Sequence, residues 1–270
     1  MKYPLFITDY DGTLGCAPNN DINPQTLQVI NEFVDKGGKF VVCSGREYRS
    51  IKKILLNSNL KGLVVCFQGA LIADLESGEV LFEGGIAEDF AISILEKVST
   101  YGLYPIVYYK DSFYADGENK DSPYYKHYAN KVEMEYLSAD LKTLIKEKGK
   151  PCKLGWLGPD EVVVKAQREM NELFGEKEIV FNSGAPGLLE AVNPQCDKGQ
   201  AVRFLAKYYS IPLEKVLAVG DSTNDVPLIK GEWHGVAVGD GKDVLKKVAK
   251  EITVPFSEHP VKLLLEKYCL

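Results

Sequence analysis

The chain lacks the residues that would tie it to a disulfide framework, a zinc cluster or a bilayer. None of its six cysteines (Cys16, Cys43, Cys66, Cys152, Cys196, Cys269) forms a C-x-x-C pair. In a chain of 270 residues that scatter reads as reduced, mostly buried thiols and not as the staples of a small secreted domain. Histidine is scarce, three in all and none beside a cysteine pair, which argues against structural zinc. The longest apolar stretch, around Leu63 to Ala73, is interrupted by Gln68 and is too short to span a membrane. No charged n-region followed by an apolar h-region opens the chain, so a cytoplasmic location is expected. Basic excess is missing too: the net charge is −6 and the pI near 5.3. Such a chain does not grip nucleic acid through its phosphates, and neither nucleic acid nor membrane is an expected partner.

What is present is ordinary for a folded protein, with 45% hydrophobic and 26% charged residues. The order of elements is more informative. Tyr3 to Thr8 reads as a short buried strand that stops in the polar turn Asp9-Tyr-Asp-Gly-Thr-Leu14. Asn23-Pro-Gln-Thr opens a helix with Leu27, Ile30, Phe33 and Val34 at helical spacing, closed by Gly37-Gly38. Lys39 to Cys43 is a second strand, followed by Ser44-Gly-Arg46 and a helix from Tyr48 to Leu56, and Leu63 to Phe67 is a third. Continuous apolar strands alternating with helices predict an α/β fold, a doubly wound parallel sheet covered on both faces. The same grammar returns late in the chain. Helix 199–209 precedes strand 215–219, the turn Gly220-Asp-Ser-Thr-Asn-Asp225, a strand at 235–238 and a helix at 242–249.

Between these halves, residues 84–188 have a different texture. Nine of the 15 tyrosines fall between Tyr101 and Tyr136. Tyr104 to Tyr109 and Ser112 to Ala115 read as hairpin strands, and 139–147 and 160–173 as helices. This stretch is expected to be an α+β domain inserted into the first, whose parts are 1–83 and 189–270.

Four constellations carry chemistry. Asp9 and Asp11, two apart on a strand end, can face one space at the carboxyl edge of a sheet. Two acids so close call for a cation or a proton, although a solvated D-x-D-G turn is the plain alternative. Asp221, Asn224 and Asp225 supply the oxygen ligands that suit a hard cation such as Mg²⁺, while Asp221 or Ser222 could simply cap the next helix. Ser44 and Gly45 end a strand where a hydroxyl and amides can receive phosphate oxygens, or where a serine merely caps. Lys198 opens a helix, a position the macrodipole disfavours for a cation unless it remains a solvated surface lysine.

Taken together and in this order, the motifs Asp9-Tyr-Asp-Gly-Thr-Leu14, Val42-Cys-Ser-Gly-Arg46, Asp197-Lys-Gly199 and Val219-Gly-Asp-Ser-Thr-Asn-Asp225 resemble the haloacid-dehalogenase-like superfamily, Cof-type sugar-phosphatase branch. The placement of the insert agrees with that branch. About thirty residues between Leu14 and Ser44 leave room for one helix and no cap domain, so the insert falls between the serine and lysine motifs, as in members with a large α/β cap. Subfamilies capped after the first motif are disfavoured, and Asp11 separates the chain from the dehalogenases themselves. Gln68 and Asp240 stand where relatives often carry asparagine.

The resemblance implies a phosphatase for small phosphorylated metabolites, sugar phosphates foremost. Asp9 would be the nucleophile and Asp11 the general acid and base. Ser44, Gly45, Lys198 and Asn224 would hold the phosphate. Mg²⁺ would sit on Asp9, the Asp11 carbonyl and Asp221, with Asn224 and Asp225 completing or orienting the shell. The inserted domain would close over the site, its tyrosines either meeting substrate or packing their own sheet. A phosphomutase of the same superfamily and a non-catalytic phospho-ligand sensor are the alternatives. The sensor has no need of Asp9, Asp11, Lys198 and Asp221 together.

Overall fold

The computed structural model describes residues 1–16, 21–117, 122–132, 137–175 and 177–270; Tyr136 and the side chain of Cys16 lie outside the described residues. The chain divides into two units, one of Met1–Phe82 with Asp197–Leu270 and the other of Glu83–Cys196.

In the first unit, strand β1 (Leu5–Thr8) has no side chain open to solvent. Strands β2 (Lys39–Cys43), β3 (Leu63–Cys66), β4 (Leu71–Asp74), β5 (Val80–Glu83), β6 (Val216–Gly220), β7 (His234–Ala237) and β8 (Glu251–Ile252) complete a sheet ordered β8-β7-β6-β1-β2-β3-β4-β5. The pairs from β8 through β3 are parallel. β4 returns antiparallel to β3, so one edge of the sheet is mixed. The apolar run read as a single stretch is in fact these two strands and the turn between them.

Both faces are covered, as continuous apolar strands require. Leu5 and Ile7 face helix α3 (Lys198–Tyr208), packing with Val202 and Leu205. Phe6 faces the other way, its ring 6.4 Å from that of Phe33 on helix α1 (Pro24–Asp35). The buried face of α1 is Thr26, Val29, Ile30 and Phe33, one helical stripe. The expected Leu27 and Val34 stand at its margins, Val34 45% exposed, because apolar residues on adjoining positions outnumber those the stripe can bury. Asn23 caps this helix, accepting from the amides of Gln25 and Thr26, and helix α2 (Tyr48–Asn57) follows β2. Helix 242–249 shrinks to Asp243–Lys246.

Register fixes where the chemistry emerges. Thr8 lies level with Val42 on one side and Val219 on the other. The residues after all three strands therefore leave the sheet at one carboxyl edge. Chain order runs from β1 outward to β2 and β3, then resumes at β6 on the opposite flank. β1 is thus a topological switch point, where open α/β sheets bind their ligands.

The second unit has a six-stranded sheet ordered Leu137–Ala139, Ser112–Asp116, Tyr104–Tyr109, Lys153–Leu157, Leu188–Val192, Val180–Ala185. Helices Glu88–Ser99, Leu141–Lys148 and Asp160–Phe174 bury Ile94, Ile145 and Val163 with Val107, Leu154 and Trp156 of the sheet. The expected limit at 188 falls short of the observed one at Cys196, since strand Leu188–Val192 pairs with two strands of this sheet. Several tyrosines serve packing. Tyr125 is fully buried and donates to the Pro105 carbonyl, and buried Tyr108 hydrogen-bonds Tyr128.

Candidate active site

Lys198 resolves the puzzle of a cation at a helix start. Asp197 caps α3 by accepting from the Gln200 amide, and the next side chain turns inward, leaving Lys198 1% exposed. Its ammonium donates to Asp9 and to Asp225, each at 2.5 Å. Gly69 makes this approach possible: at φ +113° it lies so close to α3 that a Cβ there would stand 2.4 Å from the Asp197 carbonyl. Burying an ammonium is costly unless it is paired and hydrogen-bonded, and two carboxylates meet that need.

Asp225 also answers the capping question. Ser222 caps the turn Thr223–Asp225 in a capping box with Asp225. The second oxygen of Asp225 accepts from the amides of Asp221 and Ser222, at 3.1 and 3.0 Å. Both its oxygens are thereby engaged, one by lysine and one by backbone. Asp225 is a scaffold for the turn and for Lys198 more than a donor to a third party.

Asp221 projects from that turn beside the first strand end. Thr13 donates to its Oδ1 at 3.2 Å, a contact unforeseen from sequence. Gly12, at φ +80°, packs against the same carboxylate, and a Cβ there would come within 2.8 Å of Oδ2. Ligand oxygens of Asp9, Asp221 and Asp225 all lie within 4.8 Å of one another.

Asp11 is not in that cluster. Its carboxylate takes a two-point fork from Arg46, Nε to Oδ2 at 2.9 Å and a terminal nitrogen to Oδ1 at 2.6 Å. The guanidinium lies over the Tyr10 ring, 5.2 Å from its centroid. Arg46 was visible in the Ser44-Gly-Arg46 motif, but nothing in one sequence said which acid it would choose. Ser44 is 1% exposed and accepts from the Arg46 amide. It does not cap the following helix; Glu47 does, accepting from the Ser50 amide. Asn224 is likewise outside the carboxylate cluster and donates to Gln68 at 3.2 Å. Gln68, in left-handed backbone at φ 60°, lays its amide over Gly45. Asp240, the other departure, accepts from the Phe256 amide and ties two loops.

Electrostatics follow from this inventory. Burial works against the Lys198 ammonium, but Asp225 and Asp9 overrule it and hold its pKa above the usual lysine value. Burial pushes Asp9 up to about 8 despite Lys198. Burial, then the charge of Asp225, pushes Asp221 up to about 6. Once ionised, the three carboxylates face one ammonium, so two negative charges have no counter-charge within the cluster, which is why protons are held there without a cation. Hard oxygen donors with a deficit of two positive charges fit a divalent cation of the Mg²⁺ kind. Asp9 and Asp221 are the two carboxylates with capacity to hold it.

Comparison with known proteins gives consistent findings. A family model described as haloacid dehalogenase-like hydrolase matches residues 6–265. A Haemophilus influenzae protein with a provisional phosphatase name is 27% identical over 269 residues, spanning 99% of this chain and 98% of its own. The 5-amino-6-(5-phospho-D-ribitylamino)uracil phosphatase of Bacillus subtilis is 23% identical, spanning 98% and 97%. A crystal structure of a haloacid dehalogenase-like hydrolase from Bacteroides thetaiotaomicron superposes with a TM-score of 0.83 at 24% identity, covering 98% of this chain and 99% of that one. At that identity the likeness speaks for the fold.

Proposed function

The chain belongs to the haloacid dehalogenase-like hydrolases, and on that premise we propose that it is a Mg²⁺-dependent phosphatase of small phosphorylated metabolites, sugar and polyol phosphates foremost, with Asp9 as its nucleophile. One observation carries the reading: Asp9, Asp225 and Lys198, all buried, and half-buried Asp221 cluster at the switch point of the sheet with two negative charges in excess once ionised. A fold alone would not select an activity. A cluster whose charge a divalent cation would balance, beside a buried serine at a strand end, supports this one.

Asp9 and Asp221 would hold the ion, joined by the Asp11 carbonyl. When bound, the ion would offset the charge of Asp9 and polarise the phosphoryl oxygens. An oxygen of Asp9 attacks phosphorus, the bond from phosphorus to the ester oxygen breaks, and Asp11 gives that oxygen its proton. Water then attacks the same phosphorus, Asp11 takes the proton of the water, and the bond to Asp9 breaks to release phosphate. Lys198 holds Asp9 in place and presents its positive charge to the transferring group. Ser44 and Gly45 would receive phosphate oxygens, with Asn224 at the rim.

The printed substrate of the Bacillus relative, a phosphorylated ribityl compound, supports a small phosphate ester as the substrate class. Among the described residues no helix is long and apolar enough to cross a membrane. The five cysteines with described side chains are buried thiols, which supports a cytoplasmic location.

The test is a panel of sugar, polyol and nucleoside phosphates with p-nitrophenyl phosphate, assayed with Mg²⁺ and with chelator. Phosphate release should need the metal and fall by about a thousandfold or more in Asp9→Asn. Wild-type turnover in Asp9→Asn would remove the nucleophile assignment.

A further inference from the structure

Asp11 presents a problem that the site itself raises. A group that protonates a leaving oxygen must be aimed within a fraction of an ångström, yet its side chain is 49% exposed on a turn. No neighbour in the carboxylate cluster holds it. The contacts that do hold it come from Arg46, which leaves the next strand over.

Arg46 is itself held at four points. Its amide donates to Ser44 Oγ at 3.1 Å, and its carbonyl accepts from the Phe67 amide at 3.0 Å. Its guanidinium rests on the ring of fully buried Tyr10. The side-on fork takes one lone pair of each Asp11 oxygen, fixing the plane of the carboxyl group and its position while a second lone pair on each oxygen is left to carry the proton that Asp11 gives and takes back. Tyr10 lies between Asp9 and Asp11 in sequence. The same segment that places the nucleophile therefore carries the platform for the arginine that holds the acid.

We propose that Arg46 is the positioning residue for Asp11, acting through the geometry of its fork and not through charge on the substrate. The inference rests on Asp11 being the general acid of a phosphatase. Arg46 touches no reacting atom in this role. A lysine in its place keeps the charge but offers a point donor on a flexible stem, so it loses the plane that the fork imposes.

The consequence is selective. An alkyl phosphate has a poor leaving group that needs the proton of Asp11, whereas p-nitrophenyl phosphate departs as a stable anion. kcat/KM reports the first displacement, in which the leaving group departs, and excludes the second. In Arg46→Gln and Arg46→Lys alike, kcat/KM for an alkyl phosphate such as glycerol 3-phosphate should fall about thirtyfold, and that for p-nitrophenyl phosphate about threefold or less.

The experiment measures both substrates, with Mg²⁺, in wild type, Arg46→Gln and Arg46→Lys, and records the Tm of each. A tenfold or greater drop in the alkyl-to-aryl ratio in both variants supports the proposal. Equal losses on both substrates, with or without a lowered Tm, would show a structural role and overturn it. A raised KM for both substrates that Arg46→Lys restores would place Arg46 on the phosphate, and would also overturn it. Should wild type hydrolyse neither substrate nor any other ester of the panel, the phosphatase reading fails and the proposal with it. A wild type that turns over and an unchanged Arg46→Gln sink the proposal alone.

Discussion

Removing divalent cations should make the protein less stable as the pH rises from 5 to 8, the opposite of the usual behaviour of paired carboxylates. Asp9 is pushed up to about 8 and Asp221 to about 6 by burial and by the crowding of like charges. In the unfolded chain both release their protons near pH 4. Between those limits the folded state binds more protons than the unfolded state, so stability falls with rising pH. The contribution is intact below about pH 4 and is lost as the pH climbs through the folded values. Each pH unit is worth about 1.4 kcal/mol per proton held, which sets a ceiling of about 4 kcal/mol on Asp9 across three units. Asp221 adds about 1 kcal/mol over its single unit in that range, discounted because solvent reaches it.

At about 2–4 °C per kcal/mol, that total sets a ceiling of about 10–20 °C on the fall in Tm between pH 5 and pH 8 in chelator-treated protein. Mg²⁺ at a hundredfold excess over its Kd at pH 5 should restore about 3 kcal/mol, and the same concentration should restore more at pH 8, where fewer protons must leave first. Thermal denaturation followed by circular dichroism at the two pH values, with chelator and with Mg²⁺, reads both effects. Asp9→Asn should flatten the dependence. A metal-free Tm that is level or rises between pH 5 and 8, or a Mg²⁺ increment equal at both, would refute the charge-deficit argument.

Three further outcomes follow from individual contacts. Asp225→Ala should lower stability by about 2–4 kcal/mol in urea denaturation, because it leaves the buried ammonium with Asp9 alone and the amides of Asp221 and Ser222 without their acceptor. Lys198→Met should abolish measurable phosphate release while Mg²⁺ still raises the Tm, since Asp9 and Asp221 remain. Gly12→Ala should cost about 1–3 kcal/mol and weaken the Mg²⁺ increment in Tm, because a Cβ at φ +80° both strains the turn and displaces Asp221.

Much of this was legible in the sequence, for a physical reason. Strands buried on both faces must be apolar along their whole length, so β1, β2 and β6 announce themselves, and polar turns mark where they leave the sheet. Helix faces are less sharply written. In α1 the choice between Leu27 with Val34 and Thr26 with Val29 depends on the angle at which the helix meets Phe6, which no spacing reveals. The end of the insert is hard to read for a similar reason: Leu188–Val192 is apolar but for Glu190 and suits either sheet.

The site divides along the same line. Asp9, Lys198 and Asp221 could be identified because each sits at a strand end or helix start, where topology dictates the direction in which a side chain can act. What each acid does depends on contacts between segments far apart in the chain. Asp225 and Asn224 stand side by side in one motif and part company in space, Asp225 turning inward to Lys198 and Asn224 outward to Gln68. Asp9 and Asp11 do the same, one drawn into the buried cluster and the other held at the surface by Arg46. Two carboxylates separated by a single residue thereby acquire different surroundings. Under the proposed function the two would have different tasks: Asp9 would need a divalent cation to be ionised among its neighbours, and Asp11 would have to reach a leaving oxygen on the far side of the phosphorus. A D-x-D spacing supplies the pair, and the arginine and lysine that come from other strands and helices pull it apart.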